Sequence, residues 1–165
     1  MDHRRKILTL AQAGERARAL AAQGLRLVFT NGCFDLLHPG HLRYLAEARA
    51  LGDFLLVGLN SDRSIRAIKG GQPLGPPRPI CPEAERAEML AGLEAVDAVV
   101  MFDEETPLEL ILALAPAILA KGGDYDPALI VGGAEVLARG GQVRSLTLVE
   151  GFSTTALVGR ILGRP

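Results

Sequence analysis

Helical and strand-like patterns of apolar residues take turns along this chain. Residues 10–23, rich in Ala and Arg, read as a helix closed by Gly24, and residues 25–30 (Leu-Arg-Leu-Val-Phe-Thr) read as a strand that exits at Asn31-Gly32. Pro39-Gly40 opens a helical stretch over 41–51, in which Leu42, Leu45 and Ala46 share one face while Arg43 and Glu47 form an i,i+4 pair on another. Residues 54–59 are an unbroken apolar run, which is how a strand covered on both faces reads. The alternation continues with a helix at 62–68, a Gly/Pro loop to Pro82, a helix at 83–94 and a strand at 98–102. A helix at 108–114, a strand at 117–120, a helix at 128–139, a strand at 143–149 and a helix at 154–162 complete it.

Strands that alternate with helices call for a parallel sheet with helices on both faces. The expected fold is therefore α/β: a Rossmann-like, doubly wound, parallel sheet of five strands in a single domain over residues 1–165. Residues 1–24 are expected to form a helical extension and 25–163 the core. In such sheets, ligands sit beyond the carboxyl ends of the strands where the strand order reverses. The residues that follow each strand are thus the place to look for chemistry.

Composition narrows the options without naming one. With 18 Lys+Arg against 19 Asp+Glu the formal net charge is −1, which argues against nucleic acid as a general partner. Cys33 and Cys81 lie far apart and form no CxxC, so neither a zinc site nor a disulfide framework is expected. No secretory signal and no apolar run near the ~20 residues of a membrane span is visible, so a cytoplasmic domain with no membrane partner is the default. Histidine is scarce, with three in the chain, and two of them fall in one four-residue stretch.

That stretch follows the first strand: Thr30-Asn31-Gly32-Cys33-Phe34-Asp35-Leu36-Leu37-His38-Pro39-Gly40-His41. A Gly-containing strand exit that runs into a helix amino terminus offers free N–H groups and the positive end of the helix dipole to an anion. Pro39 lacks an N–H that the first turn would leave unpaired, and Gly40 allows a phosphate to come close. His38 and His41 can both project toward that phosphate. A lone histidine is more often a core or capping residue, but a pair at an expected anion site reverses those odds. GxxxxGK[ST] and GxGxxG are both absent, which excludes a P-loop and a dinucleotide fingerprint.

The sequence GxFD followed by HxGH resembles the signature of the nucleotidyltransferase superfamily, and the chain as a whole is similar to its ADP-heptose-forming adenylyltransferases. The resemblance extends over residues 29–161, through Asn60-Ser61-Asp62, Lys69-Gly70, Arg78-Pro79, Arg86, Lys121-Gly122-Gly123-Asp124 and Gly151-Phe152-Ser153-Thr154-Thr155. HxGH marks a large superfamily; KGGD and the late STT segment, in this order, narrow the match. The segment 70–77 is longer than the pattern leads one to expect, and Leu148-Val149-Glu150 stands where glycerol-phosphate cytidylyltransferases carry an Arg.

What the resemblance implies is transfer of AMP from ATP to a sugar 1-phosphate, D-glycero-beta-D-manno-heptose 1-phosphate, with release of pyrophosphate. His38, His41 and Lys69 would act on the reacting phosphates. Asn31, Gly32, Cys33, Phe34, Asp35, Gly40, Lys121, Gly122, Asp124, Ser153, Thr154 and Thr155 would bind the nucleotide, with Arg160 as a further partner. Arg78, Arg86, Asn60 and Asp62 would hold substrate phosphates, Lys69 and Arg78 as parts of a lid. Taken singly, each Lys or Arg reads as a solvated charge, and Ser153 reads as an N-cap; the last two roles are compatible. Magnesium is expected to be held by the triphosphate, with no protein metal cage. A homodimer is possible, and the pathway's kinase is expected on a separate chain. Other donors or acceptors, such as CTP with glycerol 3-phosphate or ATP with pantetheine phosphate, stay open, as does a nucleotide-binding module without chemistry.

Overall fold

A computed structural model describes residues 2–69, 76–123, 126, 129–147 and 151–163. The chain begins with a short 3-10 turn at His3–Lys6 and a two-residue strand, β1 (Ile7–Leu8). Helix α1 (Leu10–Ala22) starts at a capping box, in which the Gln12 amide donates to Thr9 Oγ1 at 3.3 Å and the Thr9 amide to Gln12 Oε1 at 2.9 Å. There follow β2 (Leu27–Gly32), α2 (Pro39–Ala50), β3 (Phe54–Asn60), α3 (Asp62–Lys69), α4 (Glu83–Ala91) and β4 (Ala98–Phe102). The last elements are α5 (Leu108–Leu114), β5 (Ile118–Gly122), α6 (Gly133–Ala138), β6 (Gln142–Leu146) and α7 (Thr154–Ile161).

All strand pairs are parallel, in the order β1-β4-β3-β2-β5-β6. The sheet therefore has six strands, not the five expected. The additional one is β1, which pairs Ile7 with Val99 and Leu8 with Val100. Residues 1–24 are thus not purely helical: two residues are too few to show a period in the sequence, and the edge of β4 recruits them. Strand β2 lies centrally, and the chain proceeds from it to β3 on one side and returns to β5 on the other. The strand order reverses between β2 and β5, and the carboxyl ends of these two strands flank the crevice.

Successive strand residues point to opposite faces, so each face builds its own core. Val28, Leu55, Val57, Val99 and Ile118 pack with Leu45 and Ala48 of α2 and Leu90 of α4. Phe29, Leu56, Val100 and Leu119 pack on the other side with Ala13 and Leu20 of α1, Ile111 and Leu114 of α5, and Val136 of α6. The buried positions of α2 are Gly40, Tyr44, Leu45 and Ala48, whereas Leu42 and Ala46, expected on the inner face, are exposed. Helix α6 starts at Gly133, later than expected, because Gly132 turns the chain with a left-handed φ of 81°. The expected strand end at 148–149 lies outside the described residues.

One glycine is required by packing. A Cβ at Gly58, in the middle of β3, would lie 2.7 Å from Phe29 Cζ and 3.2 Å from Leu110 Cδ2. Gly58→Ala should therefore destabilise the fold by about 1–3 kcal/mol through overpacking. Urea denaturation would show this as a lower midpoint at unchanged slope, and an unchanged midpoint would contradict it.

Candidate functional site

A cavity of about 280 Å³ opens at the reversal of strand order, lined by the exit of β2 (Asn31, Gly32, Cys33, Phe34), the end of β5 (Lys121, Gly122) and the first turns of α2 and α7. Its centre is the histidine pair. His38 is the N-cap of α2, and its Nδ1 accepts from the His41 amide at 3.4 Å. With Nδ1 an acceptor, the neutral ring carries its proton on Nε2. The rings of His38 and His41 are stacked, with centroids 3.8 Å apart and planes 17° apart. Phe34 closes the far side of His41, at 5.2 Å and tilted by 60°. Phe152 stacks beyond His38 at 6.2 Å.

The glycine of HxGH is explained by this stack. A Cβ on Gly40 would lie 3.0 Å from His38 Nδ1 and 3.0 Å from Phe152 Cβ. Hydrogen is all that fits between the His38 ring and Phe152 Cβ.

Burial, and to a smaller extent the neighbouring His38, pushes the His41 pKa down to about 4. His41 is thus neutral near pH 7, and its Nδ1 is buried with no hydrogen-bond partner among the described residues. Burial also lowers His38, against a smaller opposing backbone hydrogen bond. Lys121 donates to Asn31 Oδ1 at 3.3 Å, and burial holds its ammonium below the usual lysine value. Two helix amino termini, those of α2 and α7, reach the same cavity through Gly40 and His41 and through Ser153 and Thr154. No carboxylate lines it among the described residues. An ammonium, two imidazoles and two helix amino termini, with no carboxylate among the described lining residues, make an anion site.

The structure thus brings Asn31, Gly32, Cys33, Phe34, His38, Gly40, His41, Lys121, Gly122, Ser153 and Thr154 together. Ser153 also caps α7, its Oγ accepting from the Ala156 amide at 3.0 Å. Thr155 and Arg160 are exposed on α7 and do not line the cavity. Asp124 and the side chain of Lys69 lie outside the described residues.

Five other residues are placed differently from expectation. Arg86 is 1 % exposed and donates to the carbonyls of Cys81 (2.9 Å), Cys33 (2.6 Å) and Asn60 (2.9 Å) and to Asp62 Oδ1 (2.8 Å). It ties the ends of β2 and β3 to α4 and does not line the cavity. Asp62 is engaged as its partner, and Asn60 donates to Ser64 Oγ at 3.0 Å. Arg78 is held by Asp35 behind the turn, and neither lines the cavity. Each of these polar groups finds its hydrogen-bond partner within the protein.

Two lining residues escaped the sequence reading. Tyr44 sits under the cavity, its hydroxyl bonded to Thr30 Oγ1 and donating to the Ala120 carbonyl at 3.3 Å, and burial pushes its pKa up to about 12. It shares the period of Leu45 and Ala48 on α2, a signal that marks burial and not chemistry. Phe152 carries Arg43 over its ring at 5.6 Å, and its position just before Ser153 was the available clue.

Comparison with known proteins agrees with this architecture. The chain matches the cytidylyltransferase-like family over residues 29–157. It is 52% identical over 160 residues to the bifunctional protein HldE of Pelobacter propionicus, covering 97% of the chain and 31% of that protein. With bifunctional protein HldE of Syntrophotalea carbinolica the identity is 56% over 142 residues, 86% of the chain and 28% of the relative. The chain thus spans about a third of the length of these curated relatives. Among solved structures, the lipopolysaccharide core biosynthesis protein from Thermoplasma volcanium superposes with a TM-score of 0.60 at 27% identity, over 76% of this chain and 98% of that one. Pantoate-beta-alanine ligase from Francisella tularensis, complexed with beta-gamma ATP and beta-alanine, shares the fold at a TM-score of 0.55 and 13% identity, over 86% of this chain and 66% of that one. A parallel sheet that seats paired histidines where its strand order reverses, matched over most of its length by one profile, places the chain in the cytidylyltransferase-like family.

Proposed function

We propose that the chain is an adenylyltransferase that moves AMP from ATP to D-glycero-beta-D-manno-heptose 1-phosphate, giving ADP-heptose and pyrophosphate. The observation that carries the reading is the stacked His38–His41 pair at the amino terminus of α2, with Lys121 across the crevice. The similarity to HldE proteins and to a lipopolysaccharide core biosynthesis protein favours the sugar phosphate as acceptor.

In this reaction an oxygen of the sugar phosphate attacks the α-phosphorus of the nucleotide, and the bond from that phosphorus to the pyrophosphate oxygen breaks. The attacking phosphate is already ionised near neutral pH, so no strong base is needed. The work is to bring anions together and to stabilise charge on the α-phosphate. His38 Nε2–H and the α2 amides serve the α-phosphate, and Lys121, the α7 amino terminus and the Thr154 hydroxyl serve the remaining phosphates. Among the described residues no cluster of His, Cys, Asp and Glu is arranged to hold a metal, and the cavity lining has no carboxylate. In this reading magnesium enters as part of the magnesium–nucleotide substrate, held by the triphosphate. No helix among the described residues is long and apolar enough to cross a membrane; the reading places the enzyme in the cytoplasm, where both substrates are available.

The test is pyrophosphate release with ATP and CTP crossed against heptose 1-phosphate, glycerol 3-phosphate and pantetheine phosphate. Release is expected with ATP and heptose 1-phosphate. Release with CTP and glycerol 3-phosphate, and none with that pair, would overturn the assignment.

A further inference from the structure

The histidine pair rests on a backbone turn that departs from ordinary geometry. Phe34 has φ 43°, a left-handed conformation that is strained for any residue with a side chain. Its ring is buried, touches His41 on one side and on the other packs where a Cβ on Gly32 would come within 3.0 Å. A strained residue persists when its neighbours over-determine it. Here both neighbours are held. The Cys33 carbonyl accepts from Arg86 Nη1 at 2.6 Å. The Asp35 carboxylate accepts from the amides of Ile80 and Cys81, at 2.8 and 2.9 Å, and from Arg78 Nε.

We propose that Asp35 is a positioning residue for the reaction: by tying the 78–81 arm to the turn, it fixes the left-handed Phe34 and so seats the ring against which His41 stands. The inference rests on the reading of the cavity as the active site. Asp35 itself does not line that cavity; its side chain is fully buried behind it and borders a second cavity of about 810 Å³. Burial alone would raise its pKa, but donation from Cys81, Ile80 and Arg78 outweighs this and holds the carboxyl below the usual range. The anchor is thus a charged one across the working pH range, and an amide in its place would turn an N–H₂ toward Arg78.

A matched control exists at the other edge of the sheet. Asp97 also accepts from a backbone amide, that of Leu55 at 2.8 Å, and from an arginine, Arg49 at 2.7 Å. It lies at the amino-terminal ends of β3 and β4, away from the cavity.

The experiment follows the histidine ring nitrogens by NMR through a pH titration of the full chain, alongside kcat and KM for ATP. Asp35→Ala is expected to raise the His41 midpoint from about 4 toward the ordinary 6.5 as the Phe34 contact loosens. It should lower kcat by roughly 10²-fold, with KM for ATP changed less than about threefold. Asp97→Ala should lower the melting temperature and move neither readout. Where Asp35→Ala does not fold, Asp35→Asn, which keeps an acceptor for the Ile80 and Cys81 amides, is read in its place. An unchanged His41 midpoint overturns the inference, and so does a raised midpoint with unchanged kcat. The NMR readout needs no turnover, so a wild-type chain inactive in the pyrophosphate assay would sink the proposed function and leave this result legible.

Discussion

Replacing His41 with alanine should lower kcat by about 10²–10³-fold while leaving the protein folded. The folded state tolerates the change because His41 Nδ1 is buried with no partner among the described residues, so the truncation removes an unsatisfied group instead of a hydrogen bond. The catalytic loss follows from position: the ring stacks on His38 at 3.8 Å and lines an anion site with no carboxylate among its described lining residues. Turnover within about threefold of the wild type would contradict a charge-stabilising role. The same variant carries a pH signature. Burial depresses the folded pKa from 6.5 to about 4, so on acidification across that window the unfolded chain takes up a proton that the folded chain refuses. Stability is therefore lost as the pH falls from 6.5 toward 4, and His41→Ala should flatten that loss. Urea midpoints of both proteins across this window provide the check, and an equal decline in the two would refute a neutral His41.

Lys121→Met should reduce kcat/KM for ATP by about 10–10²-fold, the loss expected for a charged donor to phosphate. Methionine preserves the length and most of the volume of the stem, so the loss reports the ammonium. Lys121 approaches the cavity from β5, and its one described hydrogen bond is to the neutral Asn31 at 3.3 Å. With burial lowering its pKa and no carboxylate among the described lining residues, an incoming triphosphate is its natural counter-charge. Steady-state kinetics decide the matter: kcat/KM within twofold of the wild type would remove Lys121 from the site, by an amount well below that of any charged hydrogen bond.

Much of this was legible before any coordinates. The apolar runs of β2, β3 and β5 are long enough to declare a sheet buried on both sides, and the Pro-Gly step inside HxGH marks a helix start next to two potential donors. Those residues do meet at one cavity. Where placement departs from expectation the cause is shared: a sequence shows charge but not what satisfies it. Arg86 looked like a phosphate ligand, yet it falls on the period of Ala87, Leu90 and Ala91, the buried face of α4. Read as a member of that face, it would have been assigned to the interior, where backbone carbonyls at two strand ends occupy its donors. Arg78 was similarly claimed by Asp35, a partner 43 residues away. Tyr44 and Phe152 escaped because packing residues at a site look like packing residues anywhere. The strand β1 escaped because a two-residue strand owes its existence to β4 and carries no pattern of its own.

The reversal of strand order has a kinetic consequence. The histidine pair is made by residues 3 apart, whereas the Lys121–Asn31 contact closes over 90 residues of chain. Loop-closure entropy must be met before such a distant contact returns anything, and non-local strand pairing is slow for that reason. The anion site is therefore completed late, when β5 docks beside β2, and a chain that has emerged only as far as β4 carries both imidazoles but not the cation that faces them. Affinity for an anion at this cavity thus doubles as a signal that the sheet has closed.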